Sequence, residues 1–281
     1  MSDSSDPSMV VLTEADVEAG LRLSGETGWN QLPADWLFYL RHGHTVGFRL
    51  PDGSVVGTGA AMPYEGGFGY LALVLVTADW RRRGLGTRLA EHGIDWLERQ
   101  GIVPLLDATE KAADTYRRLG FVPLLELDRW EVNLPPARVR APTRPRSAEI
   151  ELATLAELDA RAFGAIRSDL LDDIRHRPGA RVHLASDNQG VAIIRPGRRA
   201  TQIGPLIAPD DRAAVELLDE VMRGAGGDII IDVPTARTAF AGALATRGFS
   251  RRRSFLRMTR GRPPVPPGAD LLYASIGAEY G

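Results

Sequence analysis

Residues 79–97 read DWRRRGLGTRLAEHGIDWL. Three arginines, Arg81, Arg82 and Arg83, run into Gly84, Leu85 and Gly86. Apolar residues then recur at helical spacing: Leu85, Leu89 and Trp96, with Ala90, Gly93 and Leu97 beside them. Immediately upstream, YLALVLV (70–76) is one continuous apolar run, the pattern of a strand buried on both faces. The order strand, RRRGLG, helix has a chemical consequence. The first turn of a helix leaves backbone N–H groups unpaired and carries partial positive charge. Glycines let an anion approach that backbone closely, and successive amides form an anion-binding concavity. Arginines add charge and forked donors. The stretch reads as a pyrophosphate cradle. It is not a Walker loop, since no Gly-Lys-Ser/Thr follows, and the GxGxxG dinucleotide fingerprint is absent here.

Outward from the cradle, a helix is expected from the N-cap candidate Thr13 and another over PADWLFYLRHG, with Pro33 near its start. TVGFRL, the PDGS turn and VVGTGAAMPY read as a hairpin. Residues 1–8 read as a disordered tail. Downstream, IVPLLDAT is a buried strand, KAADTYRRLGF a short helix ending at Gly120, and FVPLLELDRWEV a closing strand. LPPARVRAPTRPRS (134–147) is rich in Pro and Arg and reads as a linker. The pattern then begins again: a helix over AELDARAFG, strands at RVHLASDN, GVAIIRP and ATQIGPLIA, a helix over PDDRAAVELLDEVMRGAG, the buried strand DIIIDVP, a helix over ARTAFAGALATRGF and a strand over SRRRSFLRMTRG. Landmarks repeat: Val76 with Ile207, Asp107 with Asp232, Gly120-Phe121 with Gly248-Phe249. The expectation is an α+β chain of two tandem units, 1–135 and 148–281, joined by a 136–147 linker, each a mostly antiparallel mixed sheet flanked by helices.

Composition bounds the function. The 281 residues favour two domains, and 44% hydrophobic with 25% charged is normal for a globular chain with a real core. A net charge of −2 argues against a broad nucleic-acid footprint. Lys111 is the only lysine. With no cysteine, disulfides, thiolate metal sites and a cysteine nucleophile are excluded. No apolar run is long enough to cross a bilayer and the acidic N-terminus has no signal pattern, so the expectation is a cytoplasmic protein without membrane or nucleic-acid partners. The five histidines show no metal-ligand spacing, and no metal is expected. Oligomeric state is not legible.

Arg81-Arg82-Arg83-Gly84-Leu85-Gly86 resembles the R/Q-x-x-G-x-G/A motif of the GNAT superfamily of acetyltransferases, directly after a strand as in that family. Tyr116, four residues before Gly120-Phe121, matches its Y-x-x-x-G-F ending. GWNQLPADW, LDAT, IGPLIAPDDRAAVELL and FLRM resemble a tandem subgroup whose second unit is divergent. The resemblance implies acetyl-CoA as acyl donor and a small-molecule or amino-acid-like amine as acceptor, attacked without a covalent enzyme intermediate. It implies that Val74, Leu75 and Val76 carry the pantetheine arm, that Arg81 to Thr87 (Arg81, Arg82, Arg83, Gly84, Leu85, Gly86, Thr87) take the pyrophosphate, and that an amide near Val76 faces the acetyl oxygen. Tyr116 is the candidate acid for the leaving thiolate.

The base is less defined. Asp107, at a strand end, and Glu65, in the PYEGG turn, are both candidates, and Asp107 equally suits a cap on the following helix. Trp29, with Asn30, Gln31, Asp35 and Trp36, falls on the acceptor side that the resemblance implies, although tryptophans near a helix start more often pack than bind. His42 and His44 read as solvated, and Arg167 as facing the domain cleft. In the second half PDDRAAVE replaces RRRGLG. Asp210 and Asp211 stand where phosphate would approach, and Leu244 stands in place of Tyr116. That unit is expected to lack a working CoA site and to complete the acceptor site, pair its sheet with the first unit or hold a regulatory ligand. A non-catalytic acyl-CoA-binding regulatory protein is the alternative reading of the whole.

Overall fold

The structure, a computed structural model, describes residues 6–135, 150–263 and 270–281. The expected linker, residues 136–147, therefore lies outside the described residues. The chain runs β1 (Ser8–Val11), α1 (Val17–Glu26), α2 (Pro33–His42), β2 (His44–Arg49), β3 (Val55–Pro63), β4 (Phe68–Val76), α3 (Leu85–Glu98), β5 (Val103–Thr109), α4 (Glu110–Arg118) and β6 (Val122–Leu134). It continues through α5 (Leu152–Phe163), α6 (Ser168–His176), β7 (Arg181–Leu184), β8 (Val191–Arg195), β9 (Thr201–Ile207), α7 (Asp211–Met222), β10 (Gly227–Pro234), α8 (Thr238–Thr246), β11 (Ser250–Thr259) and β12 (Leu272–Ala274). The expected disordered tail ends earlier than residue 8: Pro7 is buried and Ser8 opens β1 against Arg49.

Among the described residues the strands form one twelve-stranded mixed sheet in the order β1-β2-β3-β4-β5-β11-β6-β10-β9-β8-β7, with β12 on β9. The two halves exchange their last strands. β11, from the second half, lies between β5 and β6, and β6, from the first, lies between β11 and β10. Leu127 pairs with Phe255 at the centre of this antiparallel pair. Each stands six residues after the phenylalanine of its own Gly-Phe landmark, Phe121 or Phe249, so a local two-fold axis runs through the repeat.

Side-chain alternation on β4 explains the layers. Leu73 and Leu75 pack in one cluster with Leu23, Trp36 and Phe38 of α1 and α2. Val74 and Val76 turn to the other face, with Leu85 and Leu89 of α3. The first cluster continues into the second half through Phe163, Leu170, Ile174 and Tyr280. One core therefore spans both halves, stabilised by burial of apolar surface at about 25 cal/mol per Å².

Candidate active site

The site begins where two strands part. β4 and β5 pair in parallel only over Phe68–Tyr70 against Val103–Leu105. Beyond that point β5 carries on to Thr109 bonded to β11 on its far side, while β4 carries on to Val76 bonded to β3. Among the described residues, the β5-facing edge of 71–76 has no strand partner. β4 also bulges there. Thr58 pairs with Leu75 and Ala60 with Ala72, so Leu73 and Val74 oppose a single β3 residue. Leu73 adopts φ 53°, and its carbonyl accepts from the Thr58 hydroxyl at 2.8 Å.

The seam leads to the start of α3. Gly84 holds the N-cap position at φ 77° with no side-chain cap, which leaves the first-turn amides of α3 without an internal acceptor. Arg82 precedes it at φ 61°. A Cβ at Gly84 would meet nothing within 4 Å, and one at Gly86 would find only Val76 Cγ2, at 3.8 Å. Any side chain there would fill the approach to the amides. The Arg81 Nε donates to the Val76 carbonyl at 2.9 Å, and the Arg83 guanidinium lies 4.5 Å from the centre of the Trp80 ring. Arg81, Arg82 and Arg83 are all exposed, and Thr87 is half-buried one turn in. The sequence-derived cradle residues thus lie together at one end of the seam, and uncapped amides, glycines and exposed cations suit a pyrophosphate.

Tyr116 projects from α4 on the α3 face. Its half-buried ring packs among Leu106, Ala108 and Phe121, and meets the Phe121 ring edge-on at 5.8 Å. Burial pushes its hydroxyl up to about 12, so it stays protonated, and a donor, through neutral pH.

Asp107 lies at the seam, but its side chain is turned away. The carboxylate is fully buried on the α1 face and held by both forks of Arg257, at 2.8 and 2.9 Å. It does not cap α4, whose N-cap is Thr109. Arg257 comes from β11, so this pair joins the two halves. Burial also pushes the nearby Tyr70 hydroxyl well above its ordinary range. The reciprocal pair is Arg129 on β6 with Asp232 on β10, at 2.7 and 2.6 Å. Arg129 and Arg257 each stand eight residues after their landmark phenylalanine, so the local two-fold relates the pairs.

Glu65 is exposed at the opposite end of β4, bridged backbone to backbone with Ile166. Trp29 is half-buried against the core, while its neighbour Asn30 clasps the second half. Asn30 Oδ1 accepts from Arg199 N and Ala200 N, and its Nδ2 donates to the Ala200 carbonyl at 3.0 Å. Asp35 and Trp36 also serve structure. Trp36 is buried with its Nε1 on Ser24. Asp35 is wholly buried and takes Arg177 at 2.6 Å, Arg195 at 3.5 Å and the Tyr280 hydroxyl at 3.0 Å. Burial opposes the Asp35 charge, but Arg195, Arg177 and the Leu32 amide outweigh it and hold the carboxyl below its usual range. Arg167 is buried between the halves, paired with Asp159 and donating to the carbonyls of Tyr280 and Gly281. His44 is not freely solvated: it contacts His92 at 2.9 Å and stacks on Trp96. His42 stacks on Phe38. Among the described residues no three His, Asp or Glu side chains gather as a metal site, and no helix is long and apolar enough to cross a membrane.

The chain matches the acetyltransferase (GNAT) family over residues 16–121 and an acetyltransferase (GNAT) domain over 155–274. It is 24% identical over 260 residues to YitH, an uncharacterised N-acetyltransferase of Bacillus subtilis, covering 86% of this chain and 88% of that one. A putative acetyltransferase from Pyrococcus horikoshii superposes with a TM-score of 0.83 at 22% identity, over 98% of this chain and 96% of the other. A tandem GNAT protein from the clavulanic acid biosynthesis pathway superposes with a TM-score of 0.63 at 14% identity, over 91% and 99%.

Proposed function

As a GNAT-family acetyltransferase with two such domains in tandem, the chain is an acyltransferase, and we propose that its first domain moves acetyl from acetyl-CoA to a primary amine. The observation that carries this reading is the seam between β4 and β5, which ends on the uncapped, glycine-lined, arginine-flanked start of α3. Acetyl-CoA supplies an activated acetyl thioester when bound. Val74, Leu75 and Val76 offer strand backbone to the pantetheine arm, and Arg81 to Thr87 offer amides and cations to the pyrophosphate. An amide at the end of β4 stabilises charge on the acetyl oxygen. Tyr116, protonated at neutral pH, gives its proton to the leaving thiolate. Asp107 positions the seam through Arg257 and is too enclosed to take a proton from the amine.

The test is a calorimetric titration of acetyl-CoA into the chain and into an Arg82→Glu, Gly84→Glu variant. One site, lost in the variant, is expected. Binding untouched by the variant would reduce RRRGLG to an ordinary helix start.

A further inference from the structure

Between the halves lies a cleft of about 530 Å³. Its walls are Thr27, Gly28 and Asn30 from the α1–α2 loop and Arg199-Ala200 from the second half; its floor is the exposed polar face of β6, β10 and β11. Four arginines line it, Arg129, Arg199, Arg252 and Arg253, against two carboxylates, Glu131 and Asp228. Most of these charges are already engaged. Arg129 holds the buried Asp232, Arg252 reaches Glu131 at 3.5 Å, and Asp228 accepts from Asn133. The Arg199 guanidinium donates to the Gly28 carbonyl at 2.9 Å and has no carboxylate within ion-pair distance among the described residues. Arg253 stacks on Phe255, 5.1 Å from the ring centre, and has no carboxylate within ion-pair distance among the described residues. Arg129 shares that ring at 4.9 Å. Arg253 faces Arg129 and Arg199 as like charges, and Asp232 and Glu131 as opposite ones. The residue is exposed to the cleft with Arg129 and Arg199 near its guanidinium, and an incoming anion would offset that like-charge crowding.

The cleft also sits where an acceptor must arrive. Thr109, the last residue of β5, pairs with Phe255, and Arg253 lies two residues further toward the same end of the sheet as Val76. Thr77, just after β4, holds Glu26 beside the Thr27 wall at 2.8 Å. From strand spacing and rise, Arg253 is roughly 10 Å from the seam. The cleft lies on the α1 side, opposite α3 and Tyr116, and so is left free by a donor seated on the cradle.

We infer that this cleft receives the acceptor, and that the acceptor is an elongated amine with an anionic group, carboxylate or phosphate, at the end remote from the nitrogen, held by Arg253 with Arg199 beside it. The inference rests on the acetyl-transfer reading above and narrows its substrate class.

The probes are four linear amines of matched length: aminohexanoate, aminohexyl phosphate, hexylamine and diaminohexane. Each is titrated by calorimetry into the CoA-saturated full chain, so the cradle is filled and no turnover is needed, and into the Arg253→Glu and Arg253→Gln variants. The two anionic amines are expected to bind about tenfold more tightly than hexylamine, with diaminohexane weakest. Arg253→Gln should erase the preference and Arg253→Glu reverse it, with CoA affinity unchanged in both. Equal binding of all four amines, a preference that survives Arg253→Glu, or no saturable binding of either anionic amine would overturn the inference. A chain that fails to bind CoA overturns the acetyl-transfer reading instead, and the same titrations into the CoA-free chain still decide the anion site.

Discussion

In the first half β4 parts from β5 after Tyr70, and among the described residues its last six residues meet no further strand on that edge. In the second half β9 parts from β10 after Ile203, and β12 lies in the gap. The two seams share their construction. Ala192 pairs with Leu206 and Ile194 with Ile203, so Gly204 and Pro205 oppose one β8 residue, as Leu73 and Val74 oppose one β3 residue. The occupants differ. β12 pairs with Leu206 and Ile207, Ala208 N donates to the Leu271 carbonyl, and Ser275 N donates to the Asp232 carbonyl on β10. At the helix that follows, Asp210 caps α7 with its own carboxylate, 2.8 Å from Ala213 N, where α3 has bare Gly84. Buried Leu244 replaces Tyr116. In the second unit each corresponding position holds protein instead: strand backbone in the gap between β9 and β10, and a carboxylate at the helix start. The second half then acts on the first through what it lends, β11 with Arg257 and Arg253.

The sharpest way to break this comparison is at the exchanged ion pairs. If the local two-fold is real, Asp107→Ala and Asp232→Ala leave equivalent arginines buried without a counter-charge, and each should cost about 3–5 kcal/mol. Replacing both partners, as in Asp107→Leu with Arg257→Met, should recover most of that loss. Chemical denaturation of the wild type and the three variants measures it. A large loss for one aspartate and none for the other would mean that the repeat symmetry is only topological. Full stability in Asp107→Ala with lost turnover would return Asp107 to the chemistry.

A smaller effect separates Tyr116 from Leu244. Tyr116→Phe keeps the ring and its packing on Phe121, so acetyl-CoA affinity should hold while kcat falls about a hundredfold. The pH dependence has a definite sign. The donor is the protonated phenol, which is pushed up to about 12, so its contribution persists as pH rises through the ordinary tyrosine value of about 10 and fades only toward 12. A wild-type kcat limb with a midpoint well below pH 10 that disappears in Tyr116→Phe would contradict this burial. A change in acetyl-CoA affinity instead of kcat would make Tyr116 a packing residue.

How much of this was legible depends on whether the signal was local. The cradle was: a strand run, two glycines and an uncapped helix start are neighbours in sequence. The landmarks Asp107, Asp232 and Gly-Phe were also legible as a repeat, and the repeat fixes the two-fold. Strand exchange was not, because β6 and β11 look the same whichever unit they join. Their apolar patterns state burial and not partner. Arg257 reads as one more arginine in SRRRSFLRMTRG until β5 is placed beside it. Asp35 is similar: the resemblance puts it on the acceptor side, and only the remote Arg177, Arg195 and Tyr280 explain its burial. α6 was hidden by its charges, since SDLLDDIRH buries only Leu170, Leu171 and Ile174. β12 is three residues long and is defined by the gap it fills.

The smallest expected change is the most informative about that gap. Asp210→Gly with Asp211→Gly removes the internal carboxylate and the like charge, which would be sufficient to restore a second cofactor site if charge alone had closed it. The structure argues that it is not sufficient. β12 would still occupy the seam, and its approach is close: a Cβ at Gly204 would lie 1.9 Å from the Ser275 carbonyl oxygen, and Gly204 holds φ 152° to permit this. The double variant should therefore bind one equivalent of acetyl-CoA, as is expected of the wild type, while losing only about 0.3 kcal/mol of stability with the α7 cap. Calorimetric stoichiometry and a denaturation curve on the same sample read both numbers. A second equivalent in the double variant would show that β12 leaves the seam readily, making charge at the helix start, and not the strand, the barrier in the second unit.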